Sequence, residues 1–172
     1  FGYRRCLSLA HGGGVVELGD LQASDAPTGR WNEQGWLPCI LRLRDLRDLA
    51  SAVARSRRLL DLDAYAPAID DFFAGDSTLG TGVRATPGRR VPGHVDGFEL
   101  AVRAVLGQQV SVSGARALAA RLVQAYGEPI AMADDTLAHL FPTAEARAEA
   151  DPLTLPVTRS RANALVTMAR AV

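Results

Sequence analysis

Lysine is absent from this sequence, because all 19 basic residues are arginine. No amine side chain in these residues can therefore form a Schiff base with a carbonyl substrate. The two cysteines, Cys6 and Cys39, are too few for a disulfide framework in a chain of 172 residues. We expect two reduced thiols. Both cysteines fall in strand-like segments, so they could still lie next to each other on neighbouring strands.

Long apolar runs and an excess of one charge are also missing. No stretch approaches the ~18 apolar residues of a membrane span, and no signal pattern is visible, so we expect a cytoplasmic protein without a membrane partner. The 19 basic and 19 acidic residues balance, which excludes a strongly basic, non-specific nucleic-acid binder but leaves a local patch open.

The 3 histidines lie far apart without partners at ligand spacing, so no metal is expected, and no cofactor.

Strand periodicity occupies the first part of the chain. Residues 3–10 alternate, a glycine-rich turn follows, and residues 15–18 are typical of a return strand. Residues 36–44 predict another strand, with Leu37 facing inward, and a short strand is expected near Arg30. These segments predict a small antiparallel sheet.

Helical spacing follows the strands. The first helix is expected to bury Leu46, Leu49, Val53 and Leu60, and the second to bury Ile69, Phe72 and Phe73. Residues 76–90 lack periodicity and are the candidate domain boundary. The sequence therefore predicts an α+β domain over residues 1–88 and the start of an all-α domain over residues 89–172.

Every signal after the boundary is helical. Apolar residues recur at helical spacing within 98–105, 115–126 and 162–169, and a short helix is expected over 135–141. Asp96 is expected to cap the first of these helices, with Glu99 completing a capping-box pattern. The further predicted N-caps are Ser111 or Ser113, Thr143 and Thr158.

The joint between two of these helices carries Gln108, Gln109 and Ser111. Two glutamines in a joint are often merely solvated. Here the joint is short, and the capping serine suits a phosphate contact. A glutamine amide also has both a donor and an acceptor, so it can replace a missing base partner inside a duplex. We interpret these residues as candidate DNA contacts.

At this joint the chain resembles a known family. The matching segments run from Arg90 to Gly93, from Asp96 to Ser111 and from Ala117 to Leu122. They are similar to the helix-hairpin-helix superfamily of DNA glycosylases, and most similar to the 3-methyladenine DNA glycosylase II family, the alkylation-inducible bacterial form. The N-terminal residues are similar to that family's first unit, whose sheet is half of a TATA-binding-protein-like fold.

The resemblance implies base-excision DNA repair. Such enzymes bend duplex DNA, rotate an alkylated base such as 3-methyladenine into a pocket and hydrolyse its N-glycosidic bond. The position that matches the family's wedge is Gln109, with Gln108 beside it. The family's helix-hairpin-helix and catalytic Asp are expected after Val172, so no catalytic residue is expected within this chain, which alone should be inactive.

A non-catalytic DNA-binding or regulatory module on the same scaffold is the alternative interpretation. It would bind bent or damaged DNA without releasing a base. The expected partner of the glycosylase is double-stranded DNA with alkylated bases. We expect a bacterial, monomeric protein that is associated with the nucleoid when it is bound to DNA.

Overall fold

The computed structural model describes residues 2–19, 37–130, 137–148 and 157–172. The chain divides into two compact units, the sheet unit (residues 1–52 and 96–172) and the small unit (residues 53–95). An antiparallel sheet and helices make up the described residues, so the predicted α+β class is confirmed. The domain boundary predicted between residues 88 and 89 stays a prediction.

The sheet has the strand order β1-β2-β3. Its strands are β1 (Gly2–Leu9), β2 (Gly12–Gly19) and β3 (Cys39–Leu43), and both neighbouring pairs are antiparallel. Gly12 opens β2 with a φ of 139°, which L side chains rarely adopt, and this explains the glycine at the hairpin turn. Leu37 was expected to face inward but is 48% exposed, because it precedes β3. The strand expected near Arg30 lies outside the described residues.

The small unit contains most of α1 (Leu49–Leu59), together with α2 (Ala66–Phe73) and α3 (Gly80–Ala85). Helix α3 falls in the stretch where no periodicity was found. Its start is fixed locally, since Asp76 Oδ1 accepts the N–H group of Leu79 at 2.7 Å. Such a contact can offset the poor helix propensity of glycine.

The stripes predicted for the first two helices are wrong. Leu46 and Leu49 are 79% and 46% exposed, whereas the buried side chains around α1 are those of Asp48, Ala52, Ser56 and Leu59. Asp48 is buried because its carboxylate binds a residue that is distant in sequence. It accepts the backbone N–H of His11 at 3.1 Å. This hydrogen bond holds the buried Asp48 carboxylate on the inner side. In α2, Ile69 and Phe72 are likewise 40% and 79% exposed.

The core of the sheet unit lies between three later helices. These are α4 (Gly97–Gly107), α5 (Val112–Tyr126) and α7 (Arg159–Arg170), while the shorter α6 spans Ala144–Ala148. The buried residues of this core are Val102, Leu106, Ala119, Leu122, Ala162, Leu165 and Val166. They confirm the helical spacing predicted for all three helices.

The short helix expected over 135–141 is wrong in its described part. Pro129 and His139 form an antiparallel bridge, and Ile130 N–H donates to the Ala138 carbonyl at 3.0 Å. Leu140 and Ile130 pack in one buried cluster with Val15 of β2. Burial against the sheet therefore overrides the local helical pattern.

Candidate nucleic-acid interface

Residues 108–111 join α4 to α5, and the N-terminus of α5 is capped. Ser111 Oγ accepts the N–H group of Gly114 at 3.1 Å and lies 3.0 Å from Ser113 Oγ, so Ser111 is the cap of the two predicted candidates. Capping satisfies a backbone donor that the helix cannot satisfy itself. The Ser111 side chain is therefore fixed at the end of the joint and remains exposed.

Gln109 occupies the apex of this joint in a left-handed conformation. Its φ is 55°, whereas that of Gln108 is −64°, and both side chains are exposed. The left-handed region costs a residue with a Cβ roughly 1–2 kcal/mol. Strain of this kind persists only where the surroundings impose it, and it concentrates at functional sites.

One surrounding contact comes from helix α7. The Arg161 guanidinium donates a hydrogen bond to the carbonyl oxygen of Gln108. Leu165 and Val166 of the same helix belong to the core, so this bond ties the joint to a buried element. No local sequence pattern links residues so far apart, so this contact could not be predicted from the sequence.

The opposite end of α4 is fixed by a buried carboxylate. Asp96 Oδ1 accepts the Glu99 N–H at 2.9 Å, which confirms the predicted N-cap. The Glu99 carboxylate accepts hydrogen bonds from Arg5 Nη2 of β1 at 2.6 Å and from Arg103 Nε at 2.7 Å. Glu99 is only 6% exposed, so these arginines neutralise a charge that would be costly alone.

A narrow cleft of about 180 Å³ lies beside the joint. Two arginines line it, Arg103 from α4 and Arg116 from α5, together with apolar and hydroxyl groups of the joint. Its other lining residues are Gly107, Val110, Ser111, Val112 and Ala115. The predicted contact Ser111 thus shares a cleft with cationic groups, while Gln108 and Gln109 do not line it.

Groups suited to other chemistry are sparse in the described ranges. There, no set of three or more His, Cys, Asp or Glu side chains is placed to hold a metal ion. His11 Nδ1 lies 2.9 Å from Asp48 Oδ1, a contact that joins the hairpin turn to the start of α1. Among the described helices, none could span a lipid bilayer. The expected absence of metal and cofactor stays a prediction.

Known proteins that this chain is similar to carry the names AlkA or DNA-3-methyladenine glycosylase. Residues 2–96 match the model of the AlkA N-terminal domain family. A Mycobacterium tuberculosis protein named "probable bifunctional transcriptional activator/DNA repair enzyme AlkA" is 46% identical over 167 residues, covering 95% of this chain and 31% of that protein. Escherichia coli DNA-3-methyladenine glycosylase 2 is 40% identical over 126 residues, covering 71% of this chain and 42% of that protein.

A solved structure has the same fold. The 3-methyladenine DNA glycosylase from Archaeoglobus fulgidus matches 98% of this chain and 55% of its own, with a TM-score of 0.74 and 22% identity. The chain described here thus spans 31% to 55% of the lengths of these proteins.

Proposed function

This chain belongs to the AlkA N-terminal domain family, and on that basis we propose that it is the front portion of a monofunctional DNA glycosylase. The enzyme hydrolyses the N-glycosidic bond of alkylated bases in duplex DNA. Its helix-hairpin-helix and catalytic Asp follow Val172. The domains divide into residues 1–88 and 89–172, and the enzyme acts as a monomer in the bacterial cytoplasm.

The observation that carries this proposal is the joint at Gln109. An exposed amide projects from a left-handed residue between two helices whose inner faces are buried. A base rotated out of a duplex leaves a gap in the stack, and unstacking costs a few kcal/mol. A side chain that enters the gap slows the return of the base. The Gln109 amide can both donate to and accept from the base left unpaired.

The neighbours of Gln109 have distinct roles in this proposal. Gln108 places its side chain beside the plug, while its carbonyl accepts the bond from Arg161. Ser111 Oγ accepts the N–H of Gly114 and lies 3.0 Å from Ser113 Oγ. When Ser113 donates in that contact, the Ser111 O–H is a donor that can reach a phosphate. None of these groups cleaves the glycosidic bond.

A base-release assay on methylated duplex DNA, performed with the complete protein, tests the activity. We expect release of alkylated bases. Binding of the DNA without release of a base would support the non-catalytic module instead. The same conclusion would follow if the sequence after Val172 lacked the Pro-Gly loop of the helix-hairpin-helix and the Asp that follows it.

The plug itself is tested by binding to a duplex with an abasic site. Gln109→Ala should weaken binding by roughly 1–3 kcal/mol, the range for contacts that stack with a base. Gln108→Ala is the comparison variant, because it removes the exposed amide beside the plug, and it should weaken binding less than Gln109→Ala. Unchanged affinity for Gln109→Ala would remove the plug role.

A further inference from the structure

A second and larger cleft, the arginine cleft, lies in the sheet unit. It measures about 670 Å³ and is bordered by β1, α4, α5 and residues 137–141. Arg4, Arg5, Arg103 and Arg116 line it, and among the described lining residues Glu99 is the only carboxylate. A cleft of this size holds a nucleotide-sized ligand, and its lining carries an excess of positive charge.

The ion pairs in and around this cleft leave that excess in place. Glu99 is shared by Arg5 and Arg103, so one carboxylate faces two guanidinium groups. Glu17, outside the lining, is likewise shared by Arg4, at 3.2 Å, and Arg42. The Glu99 arrangement therefore retains a positive charge.

Two arginines of the cleft have unused hydrogen-bonding capacity within the described residues. Arg5 Nε is buried and has no acceptor there, although buried donors are almost always paired. Arg116 projects from α5, is exposed and has no ion pair within the same residues. Guanidinium groups bind phosphate through parallel N–H donors, so an anionic ligand can bind the exposed Arg116, whereas the Arg5 Nε atom is enclosed by the fold.

We propose that the arginine cleft binds a phosphate group, and that this phosphate belongs to the DNA strand that the joint engages. The proposal rests on the proposed function. It is carried by Arg103 and Arg116, which line both the arginine cleft and the narrow cleft beside the joint. A strand that passes Ser111 in the narrow cleft is therefore led past these arginines into the larger one.

The salt dependence of DNA binding tests this inference. Arg116→Gln should reduce the slope of log affinity against log salt by about 0.9, the change for one phosphate contact, and weaken binding roughly five- to tenfold near 0.1 M salt. Arg121→Gln is the matched control, because Arg121 is an exposed arginine of the same helix that does not line the cleft. It should leave the slope unchanged.

Two results would overturn the inference. Equal effects of Arg116→Gln and Arg121→Gln would mean that only general charge attracts DNA, and a slope unchanged by Arg116→Gln would mean that no phosphate binds there. Circular dichroism of each variant shows that the fold is retained, which the exposure of both side chains leads us to expect.

Competition distinguishes the two sources of phosphate. Inorganic phosphate and a free deoxynucleotide are titrated against the wild-type chain and Arg116→Gln. Binding of either one that depends on Arg116, without an Arg116-dependent slope for duplex DNA, would refute the DNA assignment. The Gln109→Ala and base-release experiments are independent of this cleft. The proposed function can therefore fail while Arg116→Gln still changes the salt slope, and the phosphate site can fail while base release is still observed.

Discussion

The two ends of helix α4 differ in almost every physical respect. At the first end, Glu99 is buried and shared by Arg5 and Arg103. At the other end, Gln108 and Gln109 are exposed, and Gln109 has a φ of 55°. One end is held by charge and burial, while the other presents amide side chains to the surroundings on a strained backbone.

This difference indicates what each end contributes. The buried end fixes the direction of α4, because removal of Glu99 would leave arginine charges without a counter-charge in a partly buried place. The exposed side chains bury no surface that the fold requires. The unfavourable left-handed conformation of Gln109 therefore indicates a role in binding rather than in stability.

The largest expected effect comes from breaking the buried end. Glu99→Gln leaves Arg5 and Arg103 without a carboxylate, so we expect a loss of roughly 3–5 kcal/mol in the free energy of unfolding. Urea denaturation measures it. The control is Asp63→Asn, which breaks the exposed pair with Arg57 and should cost less than about 1 kcal/mol. Similar losses of unfolding free energy in both variants would show that Glu99 does not hold the start of α4 in place.

The next effect concerns the cap that ends the joint. Ser111→Ala removes the acceptor for the Gly114 N–H, and the expected loss in unfolding free energy is about 1 kcal/mol. Ser113→Ala serves as the control, because Ser113 touches Ser111 but does not provide this cap, and it should cost less than about 0.5 kcal/mol. The reverse order in denaturation experiments would show that Ser113 is the cap.

A smaller effect of opposite sign is expected at the apex. Gln109→Gly relieves the left-handed backbone, and stability should rise by up to about 1 kcal/mol. Gln108→Gly, at a φ of −64°, should gain nothing and lose a few tenths of a kcal/mol. Thermal unfolding measures both changes. If Gln109→Gly stabilises the chain and also weakens binding to abasic DNA, stability and function are in conflict at this residue.

The smallest change in stability is expected for Arg161→Gln. The bond to the Gln108 carbonyl is at the surface, so its loss should cost less than about 1 kcal/mol. The joint should nevertheless become more mobile, which faster amide hydrogen exchange at Gln109 and Val110 would report. Arg159→Gln, an exposed position on the same helix, should leave that exchange unchanged. Equal exchange rates in both variants would show that the Arg161 hydrogen bond does not restrain the joint.

The sequence predicted those parts of the fold that depend on local periodicity. The buried faces of α5 and α7 and the cap at Asp96 follow from helical spacing and residue type, whereas the choice of Ser111 over Ser113 as the second cap does not. The inner face of α1 could not be predicted in this way, because the hydrogen bond between His11 and Asp48 determines it.

The candidate interface was predicted to a similar extent. Its residue types and its place between two helices were evident from the sequence. The left-handed φ of Gln109, the bond from Arg161 and the two clefts that share Arg103 were not. Each of these features depends on backbone geometry or on contacts between residues distant in sequence.

Base-stack fluorescence tests most directly whether the fold holds Gln109 as a plug. A duplex carries 2-aminopurine next to an abasic site, and its emission rises when stacking is disturbed. We expect a rise with the wild-type protein that is retained in Gln108→Ala and lost in Gln109→Ala. A rise of the same size in Gln109→Ala would show that the Gln109 side chain does not enter the base stack.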